Sequence, residues 1–386
     1  MEDKLAVRIV RRIGEIPREV WDGLLQDGSP FMKWDWLDVL EQAQCVNDET
    51  GWAPHHIVVE RDQAIVGLCP LYLKSHSMGE FVFDHEWAAY ATRVGIDYYP
   101  KMLVGVPFTP VSGSRFLTAT QEDRNSLVKL LGRALVEICD NNELSSVHIN
   151  FCREDELEAL QQVGFMPKIG LQFHWQNQRY ESFDDYLGAF KSDRRNKIRR
   201  ERRELINQGI AIRALDHAEL NPELLRTMFQ LYKQHIDRLY YGRQYLNSEF
   251  FEELLTRPFP YLCPIVAERD GRIVAGTFNV RGLDALYGRY WGAFEEHRYL
   301  HFNVCYYSAI EHCIGAGLDR FEAGAGGSFK GLRGLEPTKT FSAHYVRDEG
   351  FRKALAQYLD GERSDTVARQ EMLLESSPLK RPASQG

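Results

Sequence analysis

Apolar and polar residues along the chain follow two periods, one typical of strands and one typical of helices. Short apolar or alternating runs predict strands at 5–13, 56–60, 64–73, 102–106, 146–151 and 341–346. Longer runs with apolar residues every three or four positions predict helices at 18–26, 31–44, 121–141, 154–163, 183–190, 222–239, 247–256, 301–315 and 349–359. Residues 80–99 are aromatic and rich in turn residues. Strands and helices mixed along the whole chain are typical of an α/β (α+β) protein.

One pattern occurs twice. The segments HHIVVERDQAIVGLCPLYL (55–73) and PIVAERDGRIVAGTFNV (264–280) both contain an apolar strand, Glu-Arg-Asp, a turn, Ile-Val, a glycine and a second apolar strand. In each half an aromatic segment, a long helix and a further strand follow. The repeated order predicts an internal duplication.

A chain of 386 residues is long for one hydrophobic core, so we expect two domains. The seam is predicted within 166–178, where Pro167 and Gly170 interrupt a mixed segment. The predicted domains are therefore 1–170 and 171–375. A polar tail at 376–386 is expected to be mobile.

Composition limits the class of protein only moderately. The net charge is −8, so any basic surface must be local. The seven cysteines are scattered without a CxxC pair, which favours reduced thiols and a cytoplasmic location. The first residues alternate like a strand and do not resemble a signal peptide, and no apolar run approaches 18 residues, so we expect no membrane span.

Residues 287–341 contain the densest concentration of candidate chemistry. They predict an aromatic strand, a charged turn, an amphipathic helix, and a strand that leads into a glycine-rich loop. Glu322, Lys330 and Arg333 lie in or beside that loop, with Gly324 and Gly326 between them. Such a loop allows the backbone to approach a ligand, and Lys and Arg supply positive charge. The alternative is an ordinary glycine-rich turn with solvated charges.

Several common motifs are excluded. The loop GAGGSFKG does not match the phosphate-binding P-loop, because Phe329 precedes the lysine and no Ser or Thr follows it. His297 and His301 are spaced as zinc ligands on a helix can be, but no third ligand is evident, so no metal is expected. No nucleophile elbow and no local signature of a catalytic cysteine occurs, so covalent catalysis has no support.

Long strings nevertheless resemble one family. They include SPFMKWDWLDVLE, RRNKIRRERR, RYWGAFEEHRYLHFNVCYYSAIEHCI and FEAGAGGSFKGLRGLEPTKTFSAHY, and the resemblance covers nearly the whole chain. The chain resembles the FemAB-like group of the GNAT acyltransferase superfamily, the "peptidoglycan biosynthesis/recognition" proteins. The resemblance implies two tandem GNAT-like (acyl-CoA N-acyltransferase-type) domains.

Fem-type transferases move an amino acid from aminoacyl-tRNA to an amine of a peptidoglycan precursor. Phe329-Lys330 followed by Gly331-Leu332-Arg333-Gly334 is similar to the aromatic-Lys element of their second domain, which implies that Lys330 lies near the transfer centre. This chain lacks the inserted helical arm of some Fem proteins, which weakens any inference about the substrate. It also lacks the usual acyl-CoA pyrophosphate loop before the helix at 301–315, which counts against acetyl-CoA.

Each candidate residue has a functional and a structural interpretation. Lys330 could stabilise an oxyanion or a donor phosphate. Glu322 could accept the amine proton, or could pair structurally with Arg333. His301 is a candidate base or ligand, whereas His297 is better explained by capping or packing. The candidate substrate-binding residues, for most of which core packing is the alternative, are Asp84, His85, Trp87, Tyr90, Tyr290, Trp291, Asn303, Tyr307, Gly324, Gly326 and Arg333.

Two finer expectations concern the second half. Of Tyr306 and Tyr307, adjacent on a helix, one should point inward and the other away. The run KSDRRNKIRRERRE (191–204) carries eight Lys or Arg against three acids. Its default interpretation is a solvated helix face. The alternative is a surface for the phosphates of a tRNA.

We therefore expect one catalytic pocket, built mainly by the second half, that transfers an acyl or aminoacyl group to a primary amine without metal or a tightly bound cofactor. The acceptor would be a small-molecule or peptide amine, possibly of a peptidoglycan precursor, and the donor aminoacyl-tRNA or acyl-CoA. One alternative is an acetyl-CoA-dependent N-acetyltransferase. The other is a non-catalytic module that binds a cell-wall precursor or RNA.

Overall fold

The computed structural model describes residues 5–239 and 242–380. Its strands are β1 (Leu5–Val10), β2 (Trp52–Pro54), β3 (His56–Arg61), β4 (Ala64–Cys69), β5 (Leu71–Lys74), β6 (Lys101–Val104), β7 (Leu117–Thr118), β8 (Ser146–Cys152), β9 (Met166–Gln176), β10 (Ala211–Ala214), β11 (Ile265–Arg269), β12 (Arg272–Arg281), β13 (Ala285–Ala293), β14 (Arg320–Glu322) and β15 (Glu336–Val346). Its α-helices are α1 (Arg18–Leu24), α2 (Trp34–Gln42), α3 (His85–Arg93), α4 (Arg124–Asn141), α5 (Glu154–Gln161), α6 (Phe183–Gly188), α7 (Ser192–Asn207), α8 (Pro222–Asp237), α9 (Ser248–Thr256), α10 (Leu300–Phe302), α11 (Ser308–Gly315) and α12 (Glu349–Glu375). A π-helical turn (Asn303–Tyr307) joins α10 to α11, and a 3-10 turn (Ser328–Arg333) follows β14.

The chain divides into two compact units. Unit 1 consists of residues 1–170 and 339–368, and unit 2 of residues 171–338 and 369–386. The division after 170 coincides with the boundary expected from the sequence. The stretch 339–368 was expected in the C-terminal domain, but it is part of unit 1, because the end of β15 pairs with β8 from Phe341 to Val346.

Unit 1 contains two groups of hydrogen-bonded strands. One has the order β1-β3-β4-β7, and the other the order β15-β8-β6-β5-β2. The helices α4 and α5 contribute Leu131, Leu135 and Leu160 to a core that also contains Val59 and Ile149 of the strands. These positions follow the periods of three to four and of two that predicted the elements.

Unit 2 has the strand order β10-β11-β12-β13-β14-β9. One face packs through Leu286, Phe321 and Trp175 against a core that includes Val304 and Ile310 of the helical segment 300–315. The other face carries Phe278 and Tyr290, whose rings contact Phe251 of α9 and Tyr232 of α8 respectively. Helices therefore lie on both faces of this sheet.

The predicted duplication is visible in the order of elements. Unit 1 contains, in chain order, β1, α1, α2, the hairpin β3–β4, α4 and β8. Unit 2 contains the corresponding series β10, α8, α9, the hairpin β11–β12, α11 and β14. Both hairpins turn through two residues with positive φ, Asp62-Gln63 and Asp270-Gly271, as the tight hairpin turn requires. Each hairpin also has one register shift, after Val59 and after Ala267. In both units the strand after the long helix runs parallel to an earlier strand, β6 with β8 and β13 with β14.

Four segments differ from the expectation. The aromatic segment 80–99 contains helix α3, and the predicted linker at 166–178 is mostly strand β9, which no clear alternation marks. Helix α12 continues to Glu375 instead of ending at 359. Within the expected mobile tail, Leu379 bridges to Phe190 and the Lys380 amide donates to Ala189, so residues 376–380 are bound to unit 2. Residues 381–386 of that tail lie outside the described residues.

Candidate active site

The strands β13 and β14 separate after three residue pairs. Ala285, Leu286 and Tyr287 pair with Arg320, Phe321 and Glu322. β14 ends at Glu322, whereas β13 continues to Ala293. On its other edge β13 has a bulge, since Phe278 pairs with Tyr290 but Asn279 with Gly288. Bulges occur frequently beside active sites, where they redirect side chains. We call the gap beyond Tyr287 the β13–β14 opening.

A glycine-rich loop follows β14 at this opening. Gly324 has φ of 76°, and a Cβ on it would lie 3.2 Å from the Gly288 carbonyl oxygen of β13. Gly334, which ends the 3-10 turn with φ of 75°, would place a Cβ 2.4 Å from the Tyr186 hydroxyl. Both positions require glycine because of their backbone conformation and their close neighbours. The glycines thus hold the 3-10 turn against the sheet.

Lys330 lies in this turn and is buried, with 3% of its surface exposed. Its Nζ donates to the carbonyl oxygens of Gly324 at 2.6 Å and Ala325 at 3.4 Å. Among the described residues no carboxylate lies within ion-pair distance of it. Burial therefore lowers the pKa of Lys330 to about 8, because no negative charge offsets the loss of water.

Arg333 anchors the same turn. Its guanidinium stacks 3.4 Å from the ring centre of Phe302, and its Nη1 donates to the Phe329 carbonyl at 2.9 Å. Its Nη2 lies 3.5 Å from the carboxylate of Glu201, which also accepts a hydrogen bond from the Tyr307 hydroxyl. The predicted basic residue is therefore a positioning group for the turn that carries Lys330.

Two further hydrogen bonds fix the backbone of the turn. The Tyr186 hydroxyl donates to the Arg333 carbonyl at 2.5 Å, and Arg194 Nε donates to the Leu332 carbonyl at 2.5 Å. Tyr186 belongs to α6 and Arg194 to α7. Both helices thus hold the turn from outside the glycine-rich loop.

The π-helical turn shapes the wall near Lys330. Tyr306 and Tyr307 are both buried, so the expectation that one of them points away is wrong. The wider turn is the reason, because a π-helical turn changes the direction of successive side chains, and such turns are frequent at functional sites. Cys305 in this turn lies near Lys330, and burial raises the pKa of its thiol well above the usual value, so the thiol is neutral.

His301 lies against aromatic rings rather than against a hydrogen-bonding partner. Its ring centre is 5.0 Å from that of Trp291, 5.5 Å from Tyr306 and 6.4 Å from Phe329. Burial, together with Arg333, His235 and Lys330, lowers the pKa of His301 to about 4. His301 is thus a neutral imidazole beside the lysine.

Glu322 is the last residue of β14 and is 5% exposed. Its Oε1 accepts from Arg320 Nε at 3.0 Å, and its Oε2 lies 3.7 Å from His174 Nε2. Oε2 is buried and has no hydrogen-bond partner among the described residues. The alternative pairing of Glu322 with Arg333 is wrong. Glu322 pairs with Arg320, and Arg333 pairs with Glu201.

The polar-aromatic cluster expected in the first half does not form one surface. Asp84 is buried and accepts hydrogen bonds from Lys101 and from the Tyr98 hydroxyl. Trp87 is buried on the same side, with its ring 4.9 Å from that of His344. His85 is exposed, whereas Tyr90 is half-buried and packs against the same apolar cluster as Trp87, three residues before it on the helix.

The remaining candidates have structural partners. Asn303 donates to the carbonyls of Glu201 and Tyr299, and His297 contacts Glu295 at 2.7 Å and Gln208 at 3.3 Å. Tyr290 packs on Tyr232, and Trp291 is half-buried beside His301. Gly326 has φ of 72° in the loop, so it contributes through its backbone.

Two important residues were missed. Glu201 was counted as part of the basic run, although it shares a helical stripe with Ile198 and Leu205, a pattern that indicates a buried carboxylate. His174 lies in the segment 166–178, for which the sequence predicts a linker. No sequence signal marks His174, because its role depends on pairing across β9 and β14.

The basic run forms helix α7. Arg202 binds Glu311 at 2.7 Å and stacks on Phe183, and Arg199 lies 3.6 Å from Asp184. Lys197, Arg200 and Arg203 are exposed and have no ion pair within the described part of the chain. A part of the positive charge is therefore free for an external partner.

Some classes of site are not present in the described residues. Within 5–239 and 242–380, no three His, Cys, Asp or Glu side chains are arranged to hold a metal ion. In the same ranges no helix combines the length and apolar character needed to cross a membrane. No disulfide joins any of the seven cysteines, all of which lie in the described residues.

Three solved structures are similar to this chain. FemX has a TM-score of 0.50 and 14% identity, over 82% of this chain and 93% of FemX. The C-terminal domain of an Agrobacterium fabrum protein assigned as a lysylphosphatidylglycerol synthetase has a TM-score of 0.53 and 10% identity, over 89% and 95%. A tandem GNAT protein from the clavulanic acid biosynthesis pathway has a TM-score of 0.48 and 11% identity, over 89% and 98%. A search of curated sequences gives no significant match.

Strands and helices mixed within two compact units form an α/β (α+β) fold, as the sequence predicts. The family model for FemAB-like proteins, described as peptidoglycan biosynthesis/recognition, matches residues 12–381. The chain belongs to this FemAB-like family, and the predicted class is confirmed.

Proposed function

We propose that the chain transfers an acyl or aminoacyl group to a primary amine at the β13–β14 opening, with Lys330 as the cation that stabilises the developing oxyanion. The observation that carries this proposal is the buried ammonium of Lys330 without a carboxylate partner in the described residues. A preorganised donor in a buried site stabilises developing charge far more than it would in water.

The local geometry supports this role. Two of the three N–H groups of Lys330 Nζ are directed at the Gly324 and Ala325 carbonyls, which leaves one for a substrate oxygen. A pKa of about 8 keeps the ammonium protonated at pH 7. The unpaired Oε2 of Glu322 is a suitable acceptor for an N–H of the incoming ammonium. The two groups supply opposite charges for the carbonyl and for the amine.

Aminoacyl-tRNA is the donor that the surface favours. Lys197, Arg200 and Arg203 are exposed on α7, the helix whose Arg194 holds the Lys330 turn. Exposed cations of this kind bind phosphates in a salt-dependent manner. The family description supports a peptidoglycan precursor as the source of the amine.

Acyl-CoA is the second donor to test. Its pyrophosphate usually binds backbone amides at a helix N-terminus. Here the helical segment starts after Tyr299, in the left-handed region with φ of 66°, and α10 is only three residues long before the π-helical turn. This start offers no regular first turn for a pyrophosphate, so it disfavours acetyl-CoA.

The experiment supplies each donor in turn. Alanyl-, seryl- and glycyl-tRNA, and separately acetyl-CoA, are incubated with a muramyl pentapeptide that has a free lysine side chain, and amide products are measured by mass spectrometry. We expect product with an aminoacyl-tRNA and at least a 100-fold loss in Lys330→Met. Product from acetyl-CoA, with none from any aminoacyl-tRNA, would show that acyl-CoA is the donor instead. No product from any donor, together with salt-sensitive RNA binding, would support a non-catalytic module.

A further inference from the structure

His174 has no assigned role, although its position is unusual. In the ladder between β9 and β14 it is the direct partner of Glu322, so both side chains project from the same face of the sheet. Tyr287 pairs with Glu322 on the other side, at the last residue before the β13–β14 opening. His174 therefore lies on the row of residues that borders the opening.

The two nitrogens of His174 have different surroundings. Nε2 lies 3.2 Å from Gln172 Oε1, which accepts the Nε2–H, and 3.7 Å from Glu322 Oε2. Among the described residues, Nδ1 makes no hydrogen bond. With the proton on Nε2, the lone pair of Nδ1 is available, and the neighbouring carboxylate favours protonation of the ring.

An amine acceptor creates a need for such a group. Alkyl amines are protonated at neutral pH, and an ammonium has no lone pair with which to attack a carbonyl. Lys330 cannot take this proton, because it is a cation at the same pH. Glu322 can hold the ammonium through its unpaired Oε2, and a neutral imidazole beside it can remove a proton.

We propose that Glu322 and His174 form the amine subsite, in which Glu322 Oε2 binds the acceptor ammonium and His174 Nδ1 accepts its proton before attack. This inference rests on the proposed function and adds the base to it. The neutral amine then forms the C–N bond to the acyl carbon, and the ester C–O bond breaks. The second N–H proton passes to the leaving oxygen, and the proton on His174 is released to solvent.

Three charged groups act on His174. Glu322 of β14 favours its protonated form, whereas Arg320 of β14 and Lys330 of the 3-10 turn disfavour it. Burial has the largest effect, and the net result is a pKa of His174 below its usual value. The imidazole is thus neutral and able to accept a proton at pH 7.

The first test compares transfer rates. His174→Gln should reduce kcat at least 100-fold and leave KM for the donor unchanged, and the acidic limb of the pH profile should disappear. Glu322→Gln should move that limb to lower pH, because it removes the group that favours the imidazolium. His312→Gln is the matched control, since His312 of α11 contacts Cys263 and the charges that act on it are those of Arg281 and Asp216. It should transfer at the wild-type rate.

The second test needs no turnover. Methylammonium is titrated into wild-type protein with ¹⁵N-labelled histidine, and the Nδ1 resonance of His174 is followed. We expect a saturable shift that Glu322→Gln abolishes.

The two tests separate failure of this inference from failure of the proposed function. If the wild type is active and the transfer rate of His174→Gln is within threefold of that of His312→Gln, the amine subsite is overturned. The proposed role of Lys330 is then unaffected. If the wild type transfers no donor, the proposed function fails. The methylammonium shift then decides, since its presence supports the amine subsite and its absence overturns it.

Discussion

Unit 1 buries Lys101 as well as Lys74, unit 2 buries Lys330, and the surroundings of Lys101 and Lys330 differ. Lys101 is fully buried and donates to Ser77, Glu80 and Asp84. Burial acts to lower its pKa, but the two carboxylates outweigh that effect and raise it. Within the described part of the chain, Lys330 donates only to backbone carbonyls, and burial lowers its pKa to about 8.

The difference separates a structural lysine from a functional one. The carboxylates around Lys101 neutralise it and fill its hydrogen-bonding capacity, so it has nothing left to offer a ligand. Lys330 is held by neutral dipoles, and its positive charge is not compensated. Uncompensated buried charges are costly and are found preferentially at functional sites.

The largest expected effect is on the stability of unit 1. Lys101→Met should lower the free energy of unfolding by about 3–5 kcal/mol, because Glu80 and Asp84 are left buried without their cation. Urea unfolding measures this loss. The triple variant with Glu80→Gln and Asp84→Asn should recover a part of it. A loss below about 1 kcal/mol would show that Lys101 is not held by its carboxylates.

Lys330→Met, in contrast to Lys101→Met, should reduce transfer without reducing stability. We expect transfer to fall about 100- to 1,000-fold, which corresponds to the loss of one oxyanion donor, while thermal unfolding is unchanged or shifted upward. Lys233→Met is the matched control, because Lys233 is exposed and pairs with Asp237 on α8. Equal transfer by the two variants would remove Lys330 from the mechanism.

The pH dependence of stability should also distinguish the two lysines. Lys330 binds its proton less tightly in the folded state, with a pKa of about 8 against 10.5 when unfolded. The unfolded state therefore binds more protons between these values, so the free energy of unfolding should rise with pH across this window. Lys330→Met should lack this rise. A wild-type curve that is the same as that of the variant would contradict the lowered pKa.

The smallest effect concerns the support of the turn. Tyr307→Phe removes one hydrogen bond to Glu201, which keeps Arg333 as its partner. We expect a loss of about 1.5 kcal/mol in stability and a modest decrease in transfer. Denaturant unfolding checks the first value. A loss as large as that of Lys101→Met would mean that Glu201 depends on Tyr307 alone.

The sequence predicted most elements of both units, because amphipathic helices such as α4 and paired strands such as β11 and β12 have clear periods. It also predicts Lys330 as a site residue, from the glycines around it and the resemblance of Phe329-Lys330 to the Fem element, and that role stays a prediction. It missed β9 and therefore His174, since pairing with β14 is a tertiary property without a local pattern. The direction of Tyr306 was mispredicted for a similar reason, because nothing in the residues distinguishes a π-helical turn from an α-helical one.

The most direct test of this account is an NMR titration of the lysine side chains in the folded protein. With ¹³Cε-labelled lysine and Lys330→Met for assignment, the account predicts that Lys330 titrates near pH 8. Lys101, assigned with Lys101→Met, should stay protonated until the protein unfolds. A Lys330 resonance that titrates near 10.5, as a solvated lysine does, would contradict the claim that unit 2 holds a buried and uncompensated ammonium at the β13–β14 opening.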